Sequence, residues 1–321
     1  MTTACTEHEH RFDVFGTQVR LLVGAPAAQP FTGHLAALRV QRTMQHLHAT
    51  LTRFERDSEL SALNARSGEP VPASSTLTRA VQAALFAAHF SDGLVDPTIL
   101  PDLERAGYAR SCAGRTPGDL RAALATAPQR HAAAPAPHST WQQIAIDAEN
   151  ATIQLPGGTR LDLGGSAKGL AVDIAARMLA DRPTFAIDAG GDIRIGGTAP
   201  APRAVDIAHP LDDTNPHRFT IEAGAVATSG LRTRIWKTDR GYAHHLIDPA
   251  TGEPAWTGVI QATALAPTAL EAETLAKTAL LRGPHVGRRV LERHGGTLIL
   301  DNGELVPAGK LATTNETRQA A

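Results

Sequence analysis

The chain has 321 residues, a formal net charge of −1, 42% hydrophobic residues and two cysteines. The balanced charge, with no block of one sign, argues against a nucleic-acid or membrane surface. Two cysteines, Cys5 and Cys112, give no disulfide framework and fit a reducing compartment.

At ~150 residues per domain the length allows two domains or one large one, with enough chain to bury a core unaided. The opening residues, MTTACTEHEHRF, lack the apolar stretch of a secretory signal, and no apolar segment precedes Cys5 as in a lipoprotein. No run approaches membrane-spanning length. The expectation is a soluble cytoplasmic protein without membrane insertion, with residues 1–11 as a tail.

Residues 12–23, rich in Val, Phe and Leu, read as a strand or strand pair. Residues 34–54 set Met44, Leu47, Leu51 and Phe54 at helical spacing, and 77–90 form a second helix stopped by Ser91-Asp92-Gly93. Residues 113–139 are full of Ala, Pro, Gly and Arg. Apart from a short helix at 120–124 they read as a surface excursion. IAID (144–147), TIQL (152–155) and TRLDL (159–163) read as short strands, the last two joined by a turn at Pro156-Gly157-Gly158.

The helix predicted over 167–180 carries Leu170, Ile174 and Met178 on one stripe and pairs Asp173 with Arg177. Residues 185–197 are strand, glycine corner, strand. Residues 218–230, 243–252 and 259–266 continue a strand-rich half. The helix 268–283 has Thr268 and Glu271 as a capping box and Gly283 as its stop. Residues 295–306 form a hairpin around Asn302-Gly303, and 310–321 read as a disordered polar tail. Strands outnumber helices and follow one another directly, so the fold class is α+β rather than a doubly wound parallel sheet.

Several short stretches carry chemistry-bearing residues. Gly164-Gly165-Ser166-Ala167-Lys168-Gly169 is neither a Walker loop nor a dinucleotide fingerprint. It still offers close backbone approach, a capping hydroxyl and free helix N–H groups. Lys168 falls in the helix's first turn, where a cation opposes the helix dipole unless something negative lies near. A solvated lysine at a tight corner is the plain alternative. Asp188 and Asp192 flank the Gly190-Gly191 corner, either for a ligand or for the turn itself. His244 and His245 alternate along a strand and face opposite sides, so only one readily joins a site and a zinc reading is weak.

Taken in order, SELSALN (58–64), VDPTILPDL (95–103), LDLGGSAKGLAVD (161–173), AIDAGGDIRIGG (186–197), AVATSG (225–230), HHLIDPATGEP (244–254) and AETLAKTALLRG (272–283) resemble the ApbE family of FAD:protein FMN transferases. The resemblance spans residues 12–285. It implies one α+β domain over 12–309, built from two related βα-plus-strands halves with mainly antiparallel sheets and packed helices. It implies FAD and Mg²⁺, transfer of FMN to a threonine of a target flavoprotein bearing a Ser/Thr-Gly-Ala-Thr-like motif, and release of AMP.

The resemblance also places residues. Asp162 and Lys168 line the FAD site, and the Gly165 carbonyl is a metal ligand. Asp96, Pro97 and Thr98 lie beside the flavin. Asp188, Gly190, Gly191 and Asp192 form the family's GGD corner, and Thr228, Ser229 and Gly230 its ATSG strand end. His245 is the candidate for proton transfer or phosphate contact, and Ile247 belongs to the same motif, in which Asp248 caps a turn. Lys168 is then catalytic as well as phosphate-binding.

Three departures stand out. The family's Asp and Thr, one helical turn apart on a metal-binding helix, are replaced by Glu273 and Lys277. A protonated lysine cannot ligate. It is either half of a surface Glu→Lys pair or a built-in cation where magnesium would bind, so metal dependence is expected to be weakened or lost. Thr278, rotated ~100° around the helix, is a poor substitute. Phe15 stands where the family commonly has Met, either against a flavin or adenine ring or in ordinary core. Many members are secreted, and this chain's start lacks such a signal. The competing activities are an FAD-binding protein without transfer and a hydrolase giving FMN and AMP.

Overall fold

Alternating apolar residues build a first hairpin from Cys5–Val14 (β1) and Thr17–Pro26 (β2). Its turn residues Phe15 and Gly16 have φ of 56° and 70°, matching the right-handed twist of the strands. The first strand thus starts at Cys5, inside the expected tail, and not at residue 12. This computed structural model describes residues 5–309 except Ala27 and Asp213. The expected tail over 310–321 and the first four residues lie outside the described residues.

Helices Phe31–Leu51 (α1) and Glu59–Ala65 (α2) come next, then strand Pro70–Pro72 (β3) and helices Ser75–Phe90 (α3), Leu100–Arg105 (α4) and Leu120–Thr126 (α5). Strands Ala145–Asp147 (β4) and Thr152–Gln154 (β5) precede Ala167–Met178 (α6), Phe185–Ala189 (β6) and Asp192–Gly196 (β7). The strand-rich stretch runs through Arg203–Ile207 (β8), His217–Ile221 (β9), Gly224–Gly230 (β10), Ile235–Thr238 (β11) and Gly241–His244 (β12). Ile247–Asp248 (β13), Glu253–Pro254 (β14) and Val259–Ala266 (β15) follow. Ala269–Leu281 (α7), Gly283–Glu292 (α8), Gly296–Leu300 (β16) and Leu305–Ala308 (β17) come last.

Eight strands form one antiparallel sheet in the order β1-β2-β6-β7-β10-β15-β16-β17. Helix α1 lies over β1 and β2, α6 over β6 and β7, α7 over β10 and β15, and α8 over β16 and β17. The β8–β9 hairpin packs a small cluster through Val205, Ile207 and Phe219 against Ile195, Val226 and Leu265. The fold is α+β, as the sequence predicts.

Two large apolar clusters share the interior. One joins α1, α3 and α6 to β2 and β6; the other joins α7 and α8 to β15 and β16. Helices α6 and α7 cross at Gly169, where an added Cβ would meet Leu270 Cα at 2.8 Å. Asp173 of α6 accepts the N–H groups of Ala269 (2.8 Å) and Leu270 (3.0 Å), satisfying orphan donors at the start of α7. Asp173 is therefore a buried cap and not half of a surface pair with Arg177. Thr268 caps α7 through the Glu271 N–H, as its sequence predicts.

Other expectations change. Of the expected α6 stripe, Leu170 is buried and Ile174 packs half-buried against the core, but Met178 is exposed, and the buried face also takes in Ala167, Ala171, Val172 and Ala175. Small residues are what let α6 sit close to its neighbours. TRLDL forms no strand, because the Leu161 N–H goes to Asn64 Oδ1 and the Asp162 N–H to Pro97 O. Gly283, at φ 74°, ends α7 and at once starts α8. The 113–139 segment runs over the surface with its short helix at Leu120–Thr126, as expected, and is tied down where the Ala133 N–H bonds Leu281 O and the Ala134 N–H bonds Asp248.

Candidate active site

One cavity of about 350 Å³ opens where the two apolar clusters meet. Its wall includes the β1–β2 turn, the end of α1, residues of the 94–99 and 108–113 segments, the start of α6, the corner between β6 and β7, the end of β10, residues 245–247 and the middle of α7. These turns and ends gather at one end of the sheet because strand order brings β2, β6, β7, β10 and β15 side by side.

The structure brings most of the sequence-predicted residues together here. Asp162, Gly165 and Lys168 line the cavity, as do Asp96, Pro97 and Phe15. Gly190 and Asp192 line it from the glycine corner, Thr228, Ser229 and Gly230 from the strand end, and His245 and Ile247 from the histidine motif. Glu273 and Lys277 face it from α7.

Thr98, Asp188 and Gly191 stand behind the wall. Thr98 donates to Asp96 Oδ1 through both N–H (2.7 Å) and Oγ1 (2.6 Å). Asp188 Oδ1 accepts the Gly191 N–H at 2.9 Å and so holds the corner's shape. Gly190 has φ 65°, and a Cβ there would lie 2.2 Å from Thr17 Oγ1. Ser166 makes no side-chain cap bond. Asp248 is structural, accepting the N–H groups of Ala134 and Ala250 at 3.0 Å.

Three buried ion pairs organise the charge. Lys168 Nζ lies 2.5 Å from Asp192 Oδ2, so the negative group near this first-turn lysine is Asp192. Burial alone would push the Lys168 ammonium down, but Asp192 and Glu273 outweigh it and hold it above its ordinary value. Lys277 Nζ lies 2.7 Å from Glu273 Oε1, and the Gly169 N–H donates to Glu273 Oε2 at 2.9 Å. Burial pushes the Glu273 carboxyl up against the pull of Lys277. With side chains 12% and 1% exposed, Lys277–Glu273 is no surface pair.

Arg53 makes the third pair, its Nε 2.5 Å from Asp162 Oδ2 while its NH2 donates to Tyr108 O at 2.6 Å. Its guanidinium also stacks on the rings of Phe54 and Tyr108, 4.2 and 4.9 Å from their centroids. Arg234 also lines the cavity, and among the described residues no carboxylate lies within ion-pair distance of it. Burial raises the Asp96 carboxyl despite the Thr98 bonds. Four cations, Arg53, Lys168, Arg234 and Lys277, and four carboxylates, Asp96, Asp162, Asp192 and Glu273, line the cavity, and Arg234 is the cation left open to an anion.

Two of these residues, Arg53 and Arg234, were missed from sequence. Arg53 meets Asp162 across 109 positions, a separation no local pattern signals. Arg234 had a readable cue, since LRTR (231–234) directly follows the ATSG strand end.

The adjacent histidines divide as alternation predicts. His244 is fully buried, edge-on to Trp256 at 4.7 Å between ring centroids, and burial holds its pKa down at about 3. His245 lines the cavity. Burial first, then the charge of Arg234, the neighbouring His244 and Lys277, hold its pKa well below that of an ordinary imidazole. Its Nδ1 lies 3.4 Å from Arg234 O.

The family model for the ApbE family matches residues 15–300. The chain belongs to the ApbE family. Within it, a protein of Treponema pallidum (strain Nichols) named FAD:protein FMN transferase is 30% identical over 290 residues, covering 84% of this chain and 77% of its own. One of the same name from Vibrio cholerae is 27% identical over 263 residues, covering 79% and 75%. The crystal structure of the ApbE protein from Thermotoga maritima superposes with a TM-score of 0.79 at 26% identity, over 94% of this chain and 97% of that one. The flavin transferase ApbE from Vibrio cholerae, with a TM-score of 0.70 at 22% identity over 95% and 98%, shares the fold.

Proposed function

We propose that this ApbE-family chain is an FAD:protein FMN transferase. It splits FAD at the diphosphate, joins FMN to a threonine hydroxyl of a target flavoprotein and releases AMP. The observation that carries this reading is the convergence of Lys168, Lys277, Arg53 and Arg234 on one cavity beside a helix N-terminus. A diphosphate needs its charge neutralised and its reacting phosphorus held in line.

In the transfer, the acceptor oxygen forms a bond to the FMN phosphorus as the bridging P–O bond breaks. The bonding pair leaves with AMP, and the acceptor's proton passes to a base. His245 is that base in this reading. A bound diphosphate offsets the Arg234 and Lys277 charges that depress the imidazole, so His245 gains basicity when substrate enters. Phe15, lining the cavity in a half-buried position, offers its ring to the flavin or adenine.

Magnesium does not fit the residues present. Mg²⁺ requires a near-octahedral set of oxygen ligands. Lys277 places an ammonium against Glu273 Oε1 where a hydroxyl ligand is expected, and Glu273 Oε2 is held by the Gly169 N–H. Thr278 Oγ1 donates to Thr274 O at 2.7 Å, inside its own helix. Lys277 then supplies in place the charge that the ion supplies elsewhere.

The reading includes a target with a Ser/Thr-Gly-Ala-Thr-like motif. A cytoplasmic setting is supported by Cys112, a free thiol beside the cavity. Among the described residues no helix is long and apolar enough to cross a membrane.

Incubation with FAD and a motif-bearing acceptor, followed by denaturing electrophoresis, tests the proposal. Flavin fluorescence on the acceptor with AMP in solution is expected. Free FMN without labelled protein would replace it with hydrolysis, and bound FAD without AMP would replace it with simple binding.

A further inference from the structure

At the other end of α1 from the cavity, three histidines meet. His8 and His10 project from the same face of edge strand β1, two residues apart. His34 projects towards them from the first turn of α1. One ring nitrogen from each lies within 4.8 Å of the others, and this is the one such group of three among the described residues. His34 Nδ1 stands 3.1 Å from His8 Nε2. Two imidazole nitrogens bound to one tetrahedral zinc at about 2.0–2.1 Å stand roughly that far apart.

We propose that His8, His10 and His34 form a binding site for a divalent transition-metal ion of the zinc class, which pins the edge strand to α1.

Several observations support it independently. The His10 Nε2 is held by Gln41 Oε1 at 2.6 Å. A carbonyl partner on one ring nitrogen fixes ring orientation, the usual outer-shell support of a metal-binding histidine. Gly33 makes the approach possible: a Cβ there would lie 3.0 Å from Val23 O and 3.2 Å from the His8 Cβ.

Imidazole nitrogen donors with open positions suit zinc, copper or nickel rather than magnesium. The site is remote from the cavity. His34 and the cavity residue His48 are fourteen positions apart on one helix, roughly 20 Å along its axis. The ion's role is to anchor the hairpin, whose far end carries Phe15 into the cavity wall.

Zinc titration of the tag-free protein by calorimetry tests this, run beside His34→Ala and His46→Ala. His46 is an exposed histidine of the same helix outside the cluster. The expected result is one saturable site, weakened at least about tenfold by His34→Ala and unaffected by His46→Ala. Cobalt is expected to give visible ligand-field bands in the wild type that His8→Ala abolishes. Zinc is also expected to raise the unfolding temperature of the wild type but not of His34→Ala. No saturable uptake, or the same isotherm in His34→Ala as in the wild type, would overturn the site.

Discussion

Lys168 Nζ lies 2.5 Å from Asp192 Oδ2, tying the first turn of α6 to the first residue of β7. The carboxylate side chain is 2% exposed, so removing the lysine strands a buried charge. Lys168→Met is expected to cost about 3–5 kcal/mol of stability and to weaken FAD binding at least about tenfold. The double variant Lys168→Met/Asp192→Asn is expected to recover most of the stability but not the affinity. Urea midpoints and FAD titrations check this. Recovery of both together would make Lys168 scaffold only.

Lys277 is the residue that closes the expected metal position. Flavin transfer by the wild type is expected to persist in chelator. Lys277→Thr places a hydroxyl one turn from Glu273 and frees Glu273 Oε1 for an ion. Its transfer is expected to fall in chelator and to return with added Mg²⁺. Loss of wild-type transfer in chelator would reject the replacement.

Gly190 tests the corner. With φ at 65° and an added Cβ meeting Thr17 Oγ1 at 2.2 Å, Gly190→Ala is expected to cost at least about 1–2 kcal/mol from backbone strain alone. Thr17→Ala in the same chain is expected to relieve part of the loss. Thermal midpoints of the two singles and the double read the coupling.

His244 sets a pH dependence. Its folded pKa, about 3, lies below that of the unfolded chain, so the unfolded state binds more protons as pH falls. Its stabilisation is full above the ordinary imidazole value and declines towards pH 3, by up to about 1.4 kcal/mol per pH unit. The raised carboxyls of Asp96, Asp173 and Glu273 act in the opposite sense. The difference between wild type and His244→Phe isolates the histidine. The wild-type denaturant midpoint is expected to fall relative to that of His244→Phe between pH 7 and pH 4. A constant difference would show that His244 does not titrate.

The legible parts of this protein were those set by local chemistry. The Thr268 cap, the glycine corner at 190–191, the Asn302-Gly303 turn and the outward His245 all follow from residues within a few positions of one another. The illegible parts depend on distant partners. TRLDL alternates like a strand, yet Asn64 and Pro97 take its N–H groups. The α6 stripe was right at Leu170 and wrong at Met178, because close packing against α1 and α7 also buries the alanines. The 113–139 segment has a loop's composition, and its small Ala133 fits beside the end of α7 because it is small. Lys277 was legible as a departure; that its ammonium would be buried against Glu273 needed the fold.

The central claim is that the cavity holds a flavin nucleotide by its diphosphate. Calorimetric titration with FAD, set beside riboflavin, tests it most directly. The account predicts one FAD per chain and riboflavin binding weaker by about a hundredfold or more, since riboflavin lacks the phosphates that the cations meet. No uptake of FAD, or equal affinity for the two, would contradict it.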